Sequence, residues 1–94
     1  MRFENKVVIV TGGASGFGRG IAEKYISEGA KVIIADIDIE SSEDLVEKLG
    51  KNATAVKVDV SKTLDVENMI KQAVLKYSRI DILVQNAKTD LEKK

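Results

Sequence analysis

From Thr11 to Gly18 the chain reads Thr-Gly-Gly-Ala-Ser-Gly-Phe-Gly, a stretch suited to cradling phosphate. Glycines at Gly12, Gly16 and Gly18 let the backbone turn sharply and let a pyrophosphate approach without meeting a Cβ. A helix entered directly from such a loop offers unpaired N–H groups and the positive end of its dipole to an anion. Glycine-rich stretches are common, so context decides: a buried strand before the loop, a helix after it, and an acid at the end of the next strand. The acid here is Asp36, in Ile34-Ala35-Asp36. It follows the loop by about 20 residues, the interval expected of a carboxylate that accepts hydrogen bonds from ribose hydroxyls. Loop and acid together point to a dinucleotide. A carboxylate at that place repels a 2′-phosphate, which favours NAD over NADP. Neither Ser15 nor Ile37 is an Arg that could receive that phosphate. Asp38 and Glu40 read as acids that end the strand in solvent.

These residues need elements to position them. Lys6–Thr11 (KVVIVT) is a β-branched run, apolar on both faces, as a central parallel strand is. Phe17, Ile21, Ala22, Tyr25 and Ile26 recur at helical spacing, and Gly29 stops that helix. Lys31–Ala35 is a second strand. Ser41 is expected to open a short helix with Leu45, Val46 and Leu49 on its apolar face and Gly50 as its stop. Ala53–Val58 is a third strand. Thr63 to Tyr77 carries Val66, Met69, Ile70, Ala73, Val74 and Tyr77 in one apolar stripe. Ile80–Val84 is a fourth strand, and Thr89–Lys94 is polar and charged. The β-α-β-α-β-α-β order predicts a three-layer α/β fold with a four-stranded parallel sheet. With the first strand at a switch point the sheet order is 3-2-1-4, a truncated Rossmann fold occupying residues 1–94 as a single domain.

Composition excludes several chemistries. The 94 residues contain 15 Lys+Arg and 15 Asp+Glu, so nothing draws the chain to nucleic acid or anionic lipid. It has no Cys and no His, which removes thiolate nucleophiles, Cys-type zinc sites and the usual general base at neutral pH. No metal site is expected. The polar start Met1-Arg2-Phe3-Glu4-Asn5-Lys6 does not have the form of a signal peptide. Apolar runs of about four residues fall far short of a membrane span. The expected location is the cytoplasm.

The sequence resembles the N-terminal part of a short-chain dehydrogenase/reductase. The resemblance rests on T-G-x-x-x-G-x-G at Thr11, Gly12, Gly16 and Gly18, on Asp36 ending the second strand, and on Asp59-Val60 after the third. It also rests on Asp81-Ile82-Leu83-Val84-Gln85-Asn86-Ala87, which is similar to the family's D-I-L-V-N-N-A-G. It implies an NAD site made of Gly12, Ser15, Gly16, Phe17, Gly18, Asp36, Ile37, Asp59, Val60, Asn86 and Ala87. Within that site the family's Asp at position 59 touches the adenine and Val60 lines its pocket. The segment around Asn86 supports the sheet and lines the adenosine ribose. Gln85 and Lys88 depart from the family pattern, and Phe17 stands where the family often has Ile, as a packing variation. The family's catalytic Ser, its Tyr-x-x-x-Lys motif and its catalytic Asn have no counterpart here. Tyr25 and Tyr77 sit on apolar stripes and read as core, and Ser15 lacks a base partner.

Three functions follow from this pattern: an NAD-binding half-domain without catalysis, a fragment of an active oxidoreductase, or an engineered or truncated half-Rossmann scaffold with little cofactor binding. A homodimer is also expected. The fourth strand presents an open edge, two helices cover one sheet face and one covers the other, and zero net charge offers little repulsion.

Overall fold

The β-branched runs form the strands and the 3.6-periodic stretches form the helices. The structure, a computed structural model, describes residues 2–86. The elements are β1 (Val7–Thr11), α1 (Gly16–Ser27), β2 (Lys31–Asp36), α2 (Ile39–Leu49), β3 (Ala53–Lys57), α3 (Thr63–Tyr77) and β4 (Ile82–Gln85). All pairings are parallel and the sheet order is β3-β2-β1-β4, as the alternation predicts. Two short steps in one direction carry the chain from β1 to β3. A long return then places β4 on the other side of β1, so β1 is the switch point.

Strand alternation divides the core. Val8 and Val10 of β1 with Val32 and Ile34 of β2 face α1 and α2, meeting Ala22, Leu45 and the partly buried Ile21, Tyr25, Ile26, Val46 and Leu49. Ile9, Ile33 and Ala35 face the other way, onto Met69 and Ala73 of α3. Every residue of β1 is buried, as a central strand covered on both faces requires.

Four expectations are corrected. Phe17 does not join the buried stripe of α1: it is 88% exposed at the first turn, because Gly18 is the residue that turns inward there. Ile70 and Val74, on the apolar stripe of α3, remain 42% and 47% exposed. One helix on this face meets the sheet through Met69 and Ala73, and among the described residues no second helix covers its flank. The helix α2 starts at Ile39 rather than Ser41, and Asp38 is its N-cap, accepting from the Ser41 amide (3.1 Å) and hydroxyl (2.8 Å). Asp38 is thus a cap and not merely a strand-end acid. β4 begins two residues later than the apolar run suggests. Asp81 precedes it and binds β1 partly with its side chain. Its Oδ2 accepts from the Val7 amide (2.8 Å) and its amide donates to the Val7 carbonyl (2.9 Å). The Arg79 guanidinium holds the other carboxylate oxygen (Nε–Oδ1 3.1 Å).

Both carboxylates have their pKa pulled down. For Asp81 the first cause is the Arg79 hydrogen bond and the second the Val7 amide. For Asp38 the causes are the Ser41 amide and then its hydroxyl. A lowered folded-state pKa contributes stability that is full above the ordinary carboxylate range and is lost as pH falls through the folded value. We therefore expect the melting temperature to be flat near neutrality and to drop in acid below the usual Asp range. Asp81→Asn, followed by circular dichroism melts across pH, should lower stability at neutral pH and shrink the acid-dependent drop.

Candidate functional site

The candidate site lies at the carboxyl ends of β1, β2 and β3, where an open parallel sheet has its crevice beside the switch point. Its floor is the Thr11–Gly18 loop. Gly12 leaves β1 with its amide donating to the Ala35 carbonyl (2.7 Å), which ties the loop's first residue to β2. Gly16 has φ 58, in the left-handed region that a Cβ disfavours, while the space around it is open. Gly18 is constrained by proximity. A Cβ placed there would lie 2.0 Å from the Gly12 carbonyl oxygen and 2.8 Å from Asn86 Nδ2. The first turn of α1 therefore touches the strand exit directly, and that contact closes the loop.

Asn86, at the end of β4, completes the closure. Its Nδ2 donates to the Gly12 carbonyl (3.2 Å) and its amide donates to Thr11 Oγ1 (3.0 Å). The Thr11 hydroxyl donates in turn to the Val84 carbonyl (3.3 Å), and Thr11 is 3% exposed. Four turns of chemistry are thus locked together: strand exit, glycine loop, helix start and the end of the neighbouring strand.

Ser15 is the N-cap of α1, in an extended conformation, and its side chain makes no capping hydrogen bond. The amides of the first turn therefore keep the donors that an anion would use. Phe17 projects beside them, almost fully exposed.

Asp36 stands at the end of β2. Its Oδ2 accepts from the Ala14 amide of the glycine loop (3.1 Å), and its Oδ1 accepts from the Asp38 amide (2.9 Å). This carboxylate, partly buried, is a latch between loop and strand. Each carboxylate oxygen has a second lone pair, so both can still accept from a ribose diol. Ile37, next in sequence, is 61% exposed.

The β3 exit runs alongside, with the Val58 amide donating to the Asp36 carbonyl (3.0 Å). Asp59 follows. Its amide donates to Asp65 Oδ2 (3.0 Å), and its Oδ1 accepts from the Ser61 hydroxyl (2.6 Å) and amide (3.0 Å). These bonds hold the Asp59 carboxyl below the usual carboxylate range, the hydroxyl being the largest cause and the amide the next, with nearby Lys62 assisting. Val60 is partly buried against the α3-side core.

The structure thus brings Gly12, Ser15, Gly16, Phe17, Gly18, Asp36, Ile37, Asp59, Val60 and Asn86 to one end of the sheet. Ala87 and Lys88 lie outside the described residues. Gln85 is exposed beside Thr11, as the register of β4 requires. Tyr25 packs edge-on against Phe3 with ring centroids 5.0 Å apart, and the Tyr77 hydroxyl shares a hydrogen bond with Thr54 Oγ1 (2.9 Å). Tyr25 lines one groove along α1 together with Gly16 and Phe17. Sequence reasoning did not assign roles to Ser61 and Asp65. The Asp-x-Ser spacing at Asp59 and Ser61 is the signal that could have found the first, since a side-chain oxygen there can accept from the amide two residues on.

Comparison with known proteins fits this geometry. The family model of the short chain dehydrogenases matches residues 6–93. The chain belongs to the short-chain dehydrogenase family. It is 49% identical over 86 residues to Tropinone reductase-like 1 of Erythroxylum coca, covering 92% of this chain and 32% of that protein. Galactitol 2-dehydrogenase of Agrobacterium fabrum is 45% identical over 87 residues, 93% of this chain and 34% of that one. In structure the chain is similar to 3-ketoacyl-(acyl-carrier-protein) reductase of Brucella melitensis, solved with NADH. The TM-score is 0.84 at 41% identity, covering 86% of this chain and 34% of that one. This short-chain dehydrogenase chain spans about a third of the length of the curated relatives it matches.

The loop contacts separate two glycines that look alike in sequence. Gly18→Ala must push backbone against backbone and should cost about 3 kcal/mol or more. Gly20→Ala meets nothing within 4 Å and, on an exposed helix, should add roughly 0.5–1 kcal/mol. Urea melts of both variants check the contrast, and equal effects would mean that the Gly12–Gly18 contact does not exist in solution.

Proposed function

We propose that this chain is an NAD-binding half-domain that holds the adenine half of the cofactor and performs no hydride transfer by itself. One observation carries the reading: the Asp36 carboxylate is hydrogen-bonded to the Ala14 amide of the glycine loop (3.1 Å). The ribose acceptor and the phosphate cradle are therefore neighbours, as an ADP-ribose moiety needs them to be. In this reading the first-turn amides of α1 and the loop from Gly12 to Gly18 take the pyrophosphate, Asp36 takes the ribose diol, and Ile37, Asp59 and Val60 border the base. Asn86 holds the loop. The Asp36 charge favours NAD over NADP. When bound, the dinucleotide would supply hydride chemistry. This chain's own residues bind and orient it but offer no Tyr-x-x-x-Lys pair and no His to move the accompanying proton. A cytoplasmic location belongs to the same proposal, that being where such a nucleotide would be met.

Calorimetry should show saturable binding of NAD and ADP-ribose, both tighter than nicotinamide mononucleotide, with weak affinities because much of the contact surface of a whole enzyme is missing. Asp36→Ala should weaken NAD and narrow its advantage over NADP. Equal binding of the two cofactor halves, or an unchanged NAD/NADP ratio in the variant, would sink the proposal. NADH absorbance should stay at background with a panel of alcohols and ketones.

A second copy of this chain is the partner we infer. Among the described residues β4 has β1 on one side and no strand on the other. Leu83, beside Ile9 on the α3 face, is 44% exposed. Open backbone groups and an apolar side chain at an edge favour strand pairing. Light scattering coupled to size exclusion at micromolar concentration should give a dimer mass, and Leu83→Lys should shift it to monomer. A monomer mass that persists on concentration defeats the inference.

A further inference from the structure

α1 carries a second stripe beside the one that meets the sheet. Phe17, Gly20, Ile21 and Lys24 follow one another at i, i+3, i+4 and i+7, and so share one flank of the helix. The N-terminal segment is tied to the end of the same helix: the Phe3 amide donates to the Glu28 carbonyl (2.9 Å), and the Phe3 ring meets Tyr25 edge-on. Helix and segment together line an open groove of about 820 Å³, within the range of small-molecule sites, about 300–1,000 Å³. Phe3, Ile21 and Tyr25 each rest one side against the core and give the groove apolar walls. Gly20 leaves its floor open, since a Cβ there meets nothing within 4 Å. The far end is positive. Arg2 and Lys24 line it, and the one carboxylate beside them, Glu28, already has both oxygens engaged. Its Oε1 accepts from the Arg2 amide (3.2 Å) and its Oε2 lies 3.4 Å from Lys24 Nζ. The Arg2 guanidinium stands over the Phe3 ring, 5.5 Å from its centroid. Two cations face one carboxylate, so an excess of positive charge sits at the mouth of an apolar trough.

We propose that this groove is a binding site for an amphipathic anion, a free medium-chain carboxylate. Its alkyl chain lies along Gly20 and Ile21 between Phe17 and the Phe3–Tyr25 pair, and its head group meets Arg2 and Lys24. From Phe17 to Lys24 the helix rises about 10 Å, at roughly 1.5 Å per residue, a length that a medium alkyl chain spans. Removal of the chain from water drives binding, and the cations select the sign of the head group. The methylene stem of Lys24 can lie along the chain while its ammonium stays in water. The groove shares only Gly16 and Phe17 with the proposed dinucleotide site, and the inference does not rest on that reading.

The test titrates two probes into the full chain by calorimetry: decanoate, below the concentration at which it forms micelles, and decyltrimethylammonium, the same alkyl chain with the opposite charge. Decanoate should bind one-to-one and several-fold more tightly. Gly20→Leu fills the floor of the groove with a better helix former, so this variant should melt no lower than the unsubstituted chain and bind no decanoate. Arg2→Gln combined with Lys24→Gln leaves the apolar walls in place. It should weaken decanoate about fivefold, the scale of two exposed ion pairs, and leave decyltrimethylammonium no weaker. This double variant decides the head-group claim by itself where Gly20→Leu fails to fold. Equal binding of the two probes, binding of neither, or undiminished decanoate binding in Gly20→Leu overturns the proposal. So does a Gly20→Leu variant whose mass by light scattering, without decanoate, differs from that of the unsubstituted chain, because a second copy would then be what fills the groove.

Discussion

The approach of Gly18 to the Gly12 carbonyl is the contact on which the rest of the site depends. A Cβ at position 18 would sit 2.0 Å from that oxygen, so α1 can start where it does only because position 18 has no side chain. The carbonyl is not left unpaired by this contact, since Asn86 Nδ2 donates to it from the end of β4. A partly buried acceptor of this kind is costly to strand. The loop therefore holds its shape only while β4 is in register beside β1. Local turn, helix start and long-range sheet order form one cooperative unit, and the amides of the first turn of α1 are aimed by that unit rather than by a capping side chain.

Asp36 extends the same logic to the second strand. By accepting from Ala14 and from Asp38 it joins the glycine loop, the end of β2 and the entry to α2. Asp38 then caps α2 through Ser41. Two successive acids, two residues apart, thus do different work: one latches the loop and faces the crevice, the other starts a helix. Charge alone does not distinguish them. The backbone donors within reach of each carboxylate do.

The sheet order and the element count are legible in sequence because they rest on periodicity and on the alternation of strands and helices. What was not legible depends on close neighbours far apart in sequence. The division of labour on α1, with Phe17 outward and Gly18 inward, follows from the strand exit that the helix meets and not from apolar spacing. β4 starts later than its apolar run because Asp81 meets Val7 with its side chain as well as its amide, an arrangement that an apolar run cannot reveal. In sequence Asp38 reads as a solvated acid because Ser41, itself a good N-cap residue, competes with it for the helix start. Ile70 and Val74 fit a helical stripe perfectly well, but burial is decided by what lies opposite. On the α3 side of the sheet, among the described residues, only one helix is present to share that face.

In the proposed reading, the position of β4 would join association to ligand binding. The strand ends in the residues that hold the loop: Val84 accepts from Thr11, and Asn86 bonds both Thr11 and Gly12. It is also the edge through which a second copy would pair. A strand that is open on one side frays more readily than one paired on both, and whatever frays β4 withdraws Asn86 from the Gly12 carbonyl. Pairing at the edge would oppose that loss, and a ligand seated in the loop would stabilise the same strand from its other side. Because each of these proposed events would favour the ordered form of β4, each would strengthen the other by an equal free energy. The coupling requires no conformational change larger than the ordering of one strand end. It would follow from placing one of the loop's side-chain tethers, Asn86, at the tip of an edge, the other being Asp36 at the end of β2.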